Sequence, residues 1–329
     1  MKALTNANPR DLRQAVALAQ QARSEGRQAM IAGGGSDLLG MVKDRIVTPD
    51  VLIHLRAIKG LDQVTTAGGV VNIGGQITLD ALSRHPLIRR DYAVLAEAAE
   101  SVATPQIRNA GTLAGNVCQR PWCWYYRNGF PCFKAGGNTC FSINGENQFH
   151  AIFGGGPSFI VHPSDTAPAL VALNAKFKIV GPKGDRTVSA ADFFILPKQN
   201  AARENALGDD EVLASIELPA ARPGTRSNYH KVLDREAWTH AVVSAAVVLV
   251  MDKGVCSAAR VVLGGVAPIP WHVPDAERML TGQRITPELA ARAAQIAVAG
   301  ATPLAKNAYK VPLLREIVQR TVLGVATRA

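Results

Sequence analysis

Four of the five cysteines in this 329-residue chain lie between positions 118 and 140, in the pattern C-x4-C-x8-C-x7-C. Structural zinc sites usually show paired C-x2-C turns, which are absent here, whereas a [4Fe–4S] cluster takes four thiolates on irregular loops. The spacing leaves three interpretations open: an iron–sulfur cluster, a zinc site, or reduced cysteines that bind nothing. The fifth cysteine, Cys256, is predicted to be a small core residue.

Two glycine-rich segments could bind phosphate. Gly33-Gly34-Gly35-Ser36-Asp37 follows an apolar strand at 29–32, and consecutive glycines let backbone N–H groups approach an anion. The segment matches neither G-x-G-x-x-G nor a P-loop, and a tight turn would explain it as well. A second segment, Gly111-Thr112-Leu113-Ala114-Gly115-Asn116, suggests that two loops hold the two phosphates of one pyrophosphate.

The elements that would position these residues fall into three regions. Residues 1–56 read as a helix at 9–23 and strands at 29–32 and 51–55, which form a compact α/β unit. Residues 57–221 contain strand-like segments at 69–77 and 159–161, a helix at 92–102, a loop at 104–116 and a hairpin at 176–188. Residues 117–150 show no period and read as an irregular insertion. Residues 222–329 read as antiparallel strands at 229–233, 241–251 and 255–263, then helices at 274–280, 287–299 and 311–323.

Composition narrows the class of protein. Apolar residues make up 47% of the chain and charged residues 19%, which favours a folded core over disorder. No run of 18 apolar residues occurs, so we expect no membrane span, and the first residues carry no apolar signal segment. The net charge of +10 is dispersed along the chain. It favours a solvated surface or an acidic partner subunit over nucleic acid.

Four motifs occur in this chain in the same order as in a known protein family. They are Ile31-Ala-Gly-Gly-Gly-Ser-Asp-Leu-Leu39, Gln106-Ile-Arg-Asn-Ala-Gly-Thr-Leu-Ala-Gly-Asn116, His162-Pro-Ser-Asp165 with Ala169-Leu-Val-Ala-Leu-Asn174, and Val262-Leu-Gly-Gly-Val-Ala-Pro268. Together they resemble the flavin-binding subunit of the molybdenum hydroxylase family, which includes xanthine dehydrogenase, carbon monoxide dehydrogenase and bacterial aldehyde oxidoreductases. The cysteine segment is similar to the [4Fe–4S] insertion of the medium subunit of periplasmic-type aldehyde oxidoreductases.

The resemblance implies an α+β fold. It consists of an FAD-binding domain of the vanillyl-alcohol-oxidase-like type, built from two α/β subdomains (1–56 and 57–221), and a C-terminal domain (222–329) with a three-stranded antiparallel sheet and helices. The implied FAD-binding residues lie on the two glycine loops and at three later positions: Ala32, Gly33, Gly34, Gly35, Ser36, Asp37, Leu38, Gly111, Thr112, Gly115, Asn116, Asp165, Leu213 and Lys231.

The three later positions have individual roles under the resemblance. Asp165 falls near the adenosine half of FAD, Leu213 packs on the isoalloxazine, and Lys231 lies near the flavin ring. A turn or N-cap remains the alternative for Asp165, and a solvated lysine at a strand edge remains the alternative for Lys231.

The implied cluster ligands are Cys118, Cys123, Cys132 and Cys140, and Cys118 is the least secure of them. Relatives with this insertion often carry a cysteine just before His-Pro-Ser-Asp, where this chain has Ser158. If Cys118 does not replace that cysteine, the cluster would be labile, bound by three thiolates, or absent.

The function implied is electron transfer. A large partner subunit would hold the molybdenum cofactor, a small subunit with two [2Fe–2S] clusters would pass electrons to FAD on this chain, and an external acceptor would remove them. The complex would be cytoplasmic, or periplasmic through export with a signal-bearing partner. A stand-alone FAD oxidase and a zinc-stabilised or nucleic-acid-binding module remain as alternatives.

Overall fold

The computed structural model describes residues 2–328, and its twelve strands form three sheets. The strands are β1 Thr5–Ala7, β2 Ala29–Ala32, β3 Val51–His54, β4 Val64–Ala67, β5 Val70–Gly74, β6 Lys176–Gly181, β7 Gly184–Ser189, β8 Val212–Leu218, β9 Thr225–Val232, β10 Val243–Asp252, β11 Val255–Gly264 and β12 Trp271–His272. The α-helices are α1 Leu12–Ser24, α2 Leu38–Lys43, α3 Leu79–Arg84, α4 Pro86–Asp91, α5 Ala93–Glu100, α6 Pro105–Ala110, α7 Leu113–Val117, α8 Trp124–Arg127, α9 Thr166–Ala172, α10 Ala190–Phe193, α11 Pro274–Leu280, α12 Pro287–Ala297 and α13 Lys310–Thr327.

The first sheet is small and parallel, in the order β1-β3-β2. Helix α1 is capped by Asp11, whose carboxylate accepts a hydrogen bond from the Gln14 N–H at 2.8 Å. The buried side of α1 carries alanine and valine at helical spacing, so it packs closely on the sheet. The helix and both strands predicted for this region are confirmed.

The second sheet is antiparallel, in the order β4-β5-β8-β6-β7. It includes the predicted hairpin, whose strands pair from Lys176 with Ser189 to Gly181 with Gly184. Helices α3, α5, α7 and α9 share its apolar core. This sheet positions the second glycine loop, whose Gly111 and Thr112 connect α6 to α7 and whose remaining residues form the first turn of α7.

Two predictions in this region were wrong. The stretch at 104–116 is not an open loop, because Thr104 and Thr112 each cap a short helix through their hydroxyl groups. The stretch at 159–161 is not a strand. Its backbone bonds to single residues elsewhere, with the Phe159 carbonyl accepting from the Ala151 N–H at 3.0 Å, so no ladder forms.

The predicted insertion at 117–150 is irregular, as expected. It contains the single-turn helix α8 and a 3₁₀ turn at Phe133–Ala135. Its remaining hydrogen bonds connect nearby turns or reach distant segments.

The third sheet is antiparallel, in the order β12-β11-β10-β9, and helices α11 to α13 pack against it. The prediction of an antiparallel sheet with helices is confirmed, with a fourth strand added. Strand β12 has two residues, which is too short to show a period in the sequence. Alternate residues of β10 enter two different cores, so both faces of this sheet are buried.

Within residues 2–328 no helix is both long enough and apolar enough to cross a bilayer.

Candidate functional site

The first glycine loop connects β2 to α2. The backbone N–H groups of residues 34–37 donate no hydrogen bond to any residue in the described part of the chain. Gly35 has a φ of +73°, a left-handed conformation that favours glycine and turns the loop back on itself. Free N–H groups converging in one turn are the arrangement that binds an anion.

The second glycine loop lies against the first. A Cβ on Gly34 would stand 1.7 Å from the Ala110 carbonyl oxygen, and a Cβ on Gly33 would stand 2.5 Å from the Thr112 hydroxyl oxygen. The two backbones therefore touch at positions where a larger residue has no room. The structure brings together segments about 80 positions apart in the chain, as a shared phosphate site requires.

A cavity of about 550 Å³ opens where the two loops meet. Its walls include every predicted FAD-binding residue on the two loops, from Ala32 to Leu38 and from Gly111 to Asn116. They also include residues that the motifs did not indicate, on the cysteine insertion and on a loop before β8: Arg120, Lys134, Arg203 and Glu204. The only sequence signal for the first two was their place next to the cysteines.

Asn116 is buried and ties the second loop to the His-Pro-Ser-Asp segment. Its side-chain oxygen accepts hydrogen bonds from the hydroxyl groups of Ser164 at 2.6 Å and Thr166 at 2.7 Å. The oxygen is therefore already occupied within the protein. We infer that Asn116 positions the loop and that its remaining polar groups are the ones available to a ligand.

Asp165 and Lys231 form a buried ion pair outside the first cavity. Their side chains are 4% and 3% exposed, and Lys231 Nζ lies 2.7 Å from an Asp165 carboxylate oxygen. Tyr229 donates its phenol hydrogen to the other carboxylate oxygen at 2.7 Å. The alternative of a solvated surface lysine is wrong. Asp165 occupies the N-cap position of α9, but its side chain accepts no capping hydrogen bond.

Asp165 lines a second cavity of about 370 Å³, between the insertion and the C-terminal sheet. Burial lowers the pKa of three histidines in its walls: His150 to about 4, His162 to about 3 and His240 to about 4. At neutral pH all three are therefore uncharged. Leu213 lines neither cavity and is buried in the core on β8.

Three of the four clustered cysteines are near enough to influence one another electrostatically. Cys132 packs with Cys123 in a small apolar cluster around Tyr126 and Met41. Burial raises the pKa of the Cys123 thiol to about 11, and the thiols of Cys132 and Cys140 contribute to that rise. His150 Nε2 lies 3.4 Å from Cys123 Sγ.

Cys118 occupies a different place. It caps the end of α7, lines the cavity where the two glycine loops meet and packs against the main core. Burial alone raises the pKa of its thiol to about 12, with no contribution from another thiol. Within residues 2–328 no group of three or more histidine, cysteine, aspartate or glutamate side chains could hold a metal ion. Cys256 is a buried core residue, as predicted.

Comparisons with known proteins agree along the whole chain. Residues 3–221 match the model of the FAD binding domain in molybdopterin dehydrogenase, and residues 228–325 match that of the CO dehydrogenase flavoprotein C-terminal domain. The chain is 35% identical over 309 residues to the aldehyde oxidoreductase FAD-binding subunit PaoB of Escherichia coli, covering 92% of this chain and 91% of that protein.

It is 30% identical over 319 residues to the carbon monoxide dehydrogenase medium chain of Hydrogenophaga pseudoflava, covering 95% of this chain and 94% of that protein. Among solved structures, the carbon monoxide dehydrogenase of Hydrogenophaga pseudoflava that lacks the Mo-pyranopterin moiety contains a similar chain. The two superimpose with a TM-score of 0.78 at 28% identity, covering 99% of this chain and 97% of the other.

Proposed function

The chain belongs to the family of FAD-binding subunits of molybdenum hydroxylases, and on that premise we propose that it carries electrons from a partner subunit's [2Fe–2S] clusters to an external acceptor. The observation that supports this most is the pair of glycine loops that line one cavity, with the N–H groups of residues 34–37 on the first loop free. Bound FAD supplies the redox chemistry, since a flavin takes up and releases one or two electrons.

The residues of this chain would hold and tune that cofactor. The N–H groups of residues 34–37 would bind the pyrophosphate, with Ser36 and Thr112 adding hydroxyl groups. Asp165 and Lys231 would lie against other parts of the cofactor. Because these two are already paired and held by Tyr229, their position is set before the cofactor binds.

We propose that substrate is oxidised on a partner subunit that holds the molybdenum cofactor. The relative with 35% identity is named as a subunit of an aldehyde oxidoreductase, so an aldehyde is our first candidate substrate, and an N-heterocycle is the second. The partners would be a large molybdenum subunit and a small [2Fe–2S] subunit.

The test is reduction of the flavin in the presence and absence of the partners. We expect the purified chain to contain FAD, and aldehyde to bleach its visible absorbance without oxygen only when both partners are present. Bleaching by aldehyde in the isolated chain would favour the stand-alone oxidase. A chain that contains no flavin and gains none when FAD is added would contradict the proposal.

A narrower proposal concerns the insertion: Cys123, Cys132 and Cys140 bind a [4Fe–4S] cluster. Cys123 and Cys132 share one apolar cluster, and the thiols of Cys132 and Cys140 raise the pKa of Cys123, so these three match in number three of the four ligands that such a cluster takes. Within residues 2–328 they do not form a ready-made metal site, so cluster binding would require them to move closer together. Cys118, the fourth predicted ligand, lines the cavity between the glycine loops, so the proposal uses three cysteines. Such a site would bind its fourth iron weakly.

Iron and sulfide analysis of the purified chain tests this second proposal. We expect Cys132→Ser to lose iron and sulfide, whereas the matched substitution Cys256→Ser in the C-terminal core should not. Cys118→Ser should retain most of the iron if three thiolates hold the cluster. Wild-type protein that is prepared without oxygen and contains no iron or sulfide would show the proposal to be wrong while leaving the flavin assignment intact.

A further inference from the structure

We propose that Arg127, on the cysteine insertion, is a positioning residue for flavin binding because it neutralises Asp37 beside the first phosphate loop. The inference rests on the FAD site proposed above. It means that the insertion, whatever its thiols bind, forms part of the dinucleotide site.

The contact between the two residues is close and largely shielded from water. Arg127 Nη2 lies 2.9 Å from Asp37 Oδ1, and the two side chains are 12% and 16% exposed. Asp37 is the last residue of the loop before α2, and it lines the phosphate cavity. An ion pair at this degree of burial is screened far less than a surface pair.

Arg127 is held in place from its own side. Its Nε donates to the Pro121 carbonyl at 2.9 Å, its Nη2 donates to the Arg120 carbonyl at 3.0 Å, and its guanidinium lies 4.3 Å from the Trp122 ring centroid. These contacts fix the guanidinium before it meets Asp37. The guanidinium is therefore held in one position, whereas the side chain of a surface arginine is flexible.

Asp37 is the group whose negative charge must be neutralised. Burial raises the pKa of this carboxyl group, and the neighbouring charge of Arg127 is the largest influence in the opposite direction. Without Arg127, the Asp37 carboxylate would keep only the smaller influence of Arg120 and would stand next to the free N–H groups of residues 34–37. It would repel a pyrophosphate bound there and weaken FAD binding.

The same arginine connects the flavin loop to the thiols. Helix α8 is a single turn, and its last residue, Arg127, donates its backbone N–H to the Cys123 carbonyl at 2.9 Å. One helical turn therefore separates the thiol group from the ion pair. A disturbance at Cys123 would be transmitted to Asp37 through this turn.

The experiment is a double-mutant cycle in the full-length chain, with the dissociation constant for FAD measured by fluorescence after removal of bound flavin. We expect Arg127→Met to weaken FAD binding by about 10- to 100-fold. Asp37→Asn should bind FAD at least as tightly as wild type, because it removes the repelling charge. The double variant should return to within about 3-fold of Asp37→Asn.

Arg84→Met is the matched control, since the Arg84 side chain is 75% exposed where it pairs with Asp80 on α3, and it should leave FAD affinity unchanged. Equal affinity of wild type and Arg127→Met would overturn the inference, and so would a double variant as weak as Arg127→Met. Loss of affinity in Asp37→Asn alone would also overturn it. A wild-type chain that does not bind FAD would instead contradict the proposed function.

Discussion

In the two glycine loops the local sequence shapes the backbone, whereas in the 117–150 insertion distant side chains help to hold the backbone in place. The loops are shaped by glycines and by threonine caps a few residues away. The insertion has one short α-helix and one 3₁₀ turn, and its last carbonyl groups are bonded by a buried lysine from α13. Lys310 Nζ donates to the carbonyls of Phe149, His150 and Gly265 at 2.9, 3.2 and 2.7 Å.

A second support crosses from the insertion to the cavity wall. Lys134 is 1% exposed, and its Nζ lies 2.8 Å from a Glu204 carboxylate oxygen and 2.9 Å from the Arg203 carbonyl. Arg120 approaches the same Glu204 at 3.1 Å. The difference teaches that a local turn can be built from a few residues in sequence, while an irregular segment is held by buried side-chain contacts with other parts of the chain.

The largest expected effect is on the loops. Gly34→Ala places a methyl group 1.7 Å from the Ala110 carbonyl oxygen, so the two loops must separate. We expect loss of FAD from the purified chain and a loss of at least about 4 kcal/mol in the free energy of unfolding. Gly40→Ala on the adjacent helix is the control. Its new methyl group meets nothing within 4 Å, so flavin content should not change.

The next effect is on the insertion. Lys310→Met removes the donor for three buried carbonyl groups, and we expect a loss of about 3 kcal/mol in the free energy of unfolding, measured by denaturant titration. Thiol reagents should also react faster with the insertion. Lys306→Met breaks only an exposed pair with Glu146 and should change stability by less than about 1 kcal/mol. Equal effects of the two variants would remove the distinction between the regions.

A smaller effect depends on pH. Burial lowers the pKa of His162 from its ordinary value of 6.5 to about 3. As the pH falls below 6.5, this histidine therefore binds a proton in the unfolded chain but stays neutral in the folded chain. Stability is therefore lost as the pH falls from 6.5 towards 3. Between pH 6.5 and 5 this histidine accounts for about 2 kcal/mol. His162→Asn should make the acid side of the stability profile shallower.

The smallest expected effect concerns Thr112, the N-cap of α7, and tests whether this cap contributes to FAD binding. Thr112 accepts a hydrogen bond from the Gly115 N–H at 3.3 Å, and Thr286 accepts one from the Leu289 N–H at 3.2 Å. Thr112→Val and Thr286→Val should each lose about 1 kcal/mol of stability. Only Thr112→Val should weaken FAD binding, because Thr112 lies in the phosphate loop. A drop in affinity in both variants would mean that general stability, and not the cap, controls FAD binding.

Much of the scaffold was predictable because its signals are local. The predicted hairpin at 176–188 matches β6 and β7, and the helices predicted to begin at 274 and 287 begin there as α11 and α12, each with a proline at its first position. Strand β12 and the two capped helices at 104–117 escaped prediction because they are too short to show a period.

The sequence by itself determined the family, the FAD fold and the two glycine loops, since these depend on residue types and short spacings. Only the tertiary structure decided which residues surround them. From its position in a strand, Lys231 could have been an exposed surface residue, but in the structure it is buried against Asp165. Cys118 is spaced like a cluster ligand and lies apart from the other three cysteines. The physical reason is that spacing reports the direction of a side chain along its own element, whereas burial and charge pairing depend on segments that meet only in the folded chain.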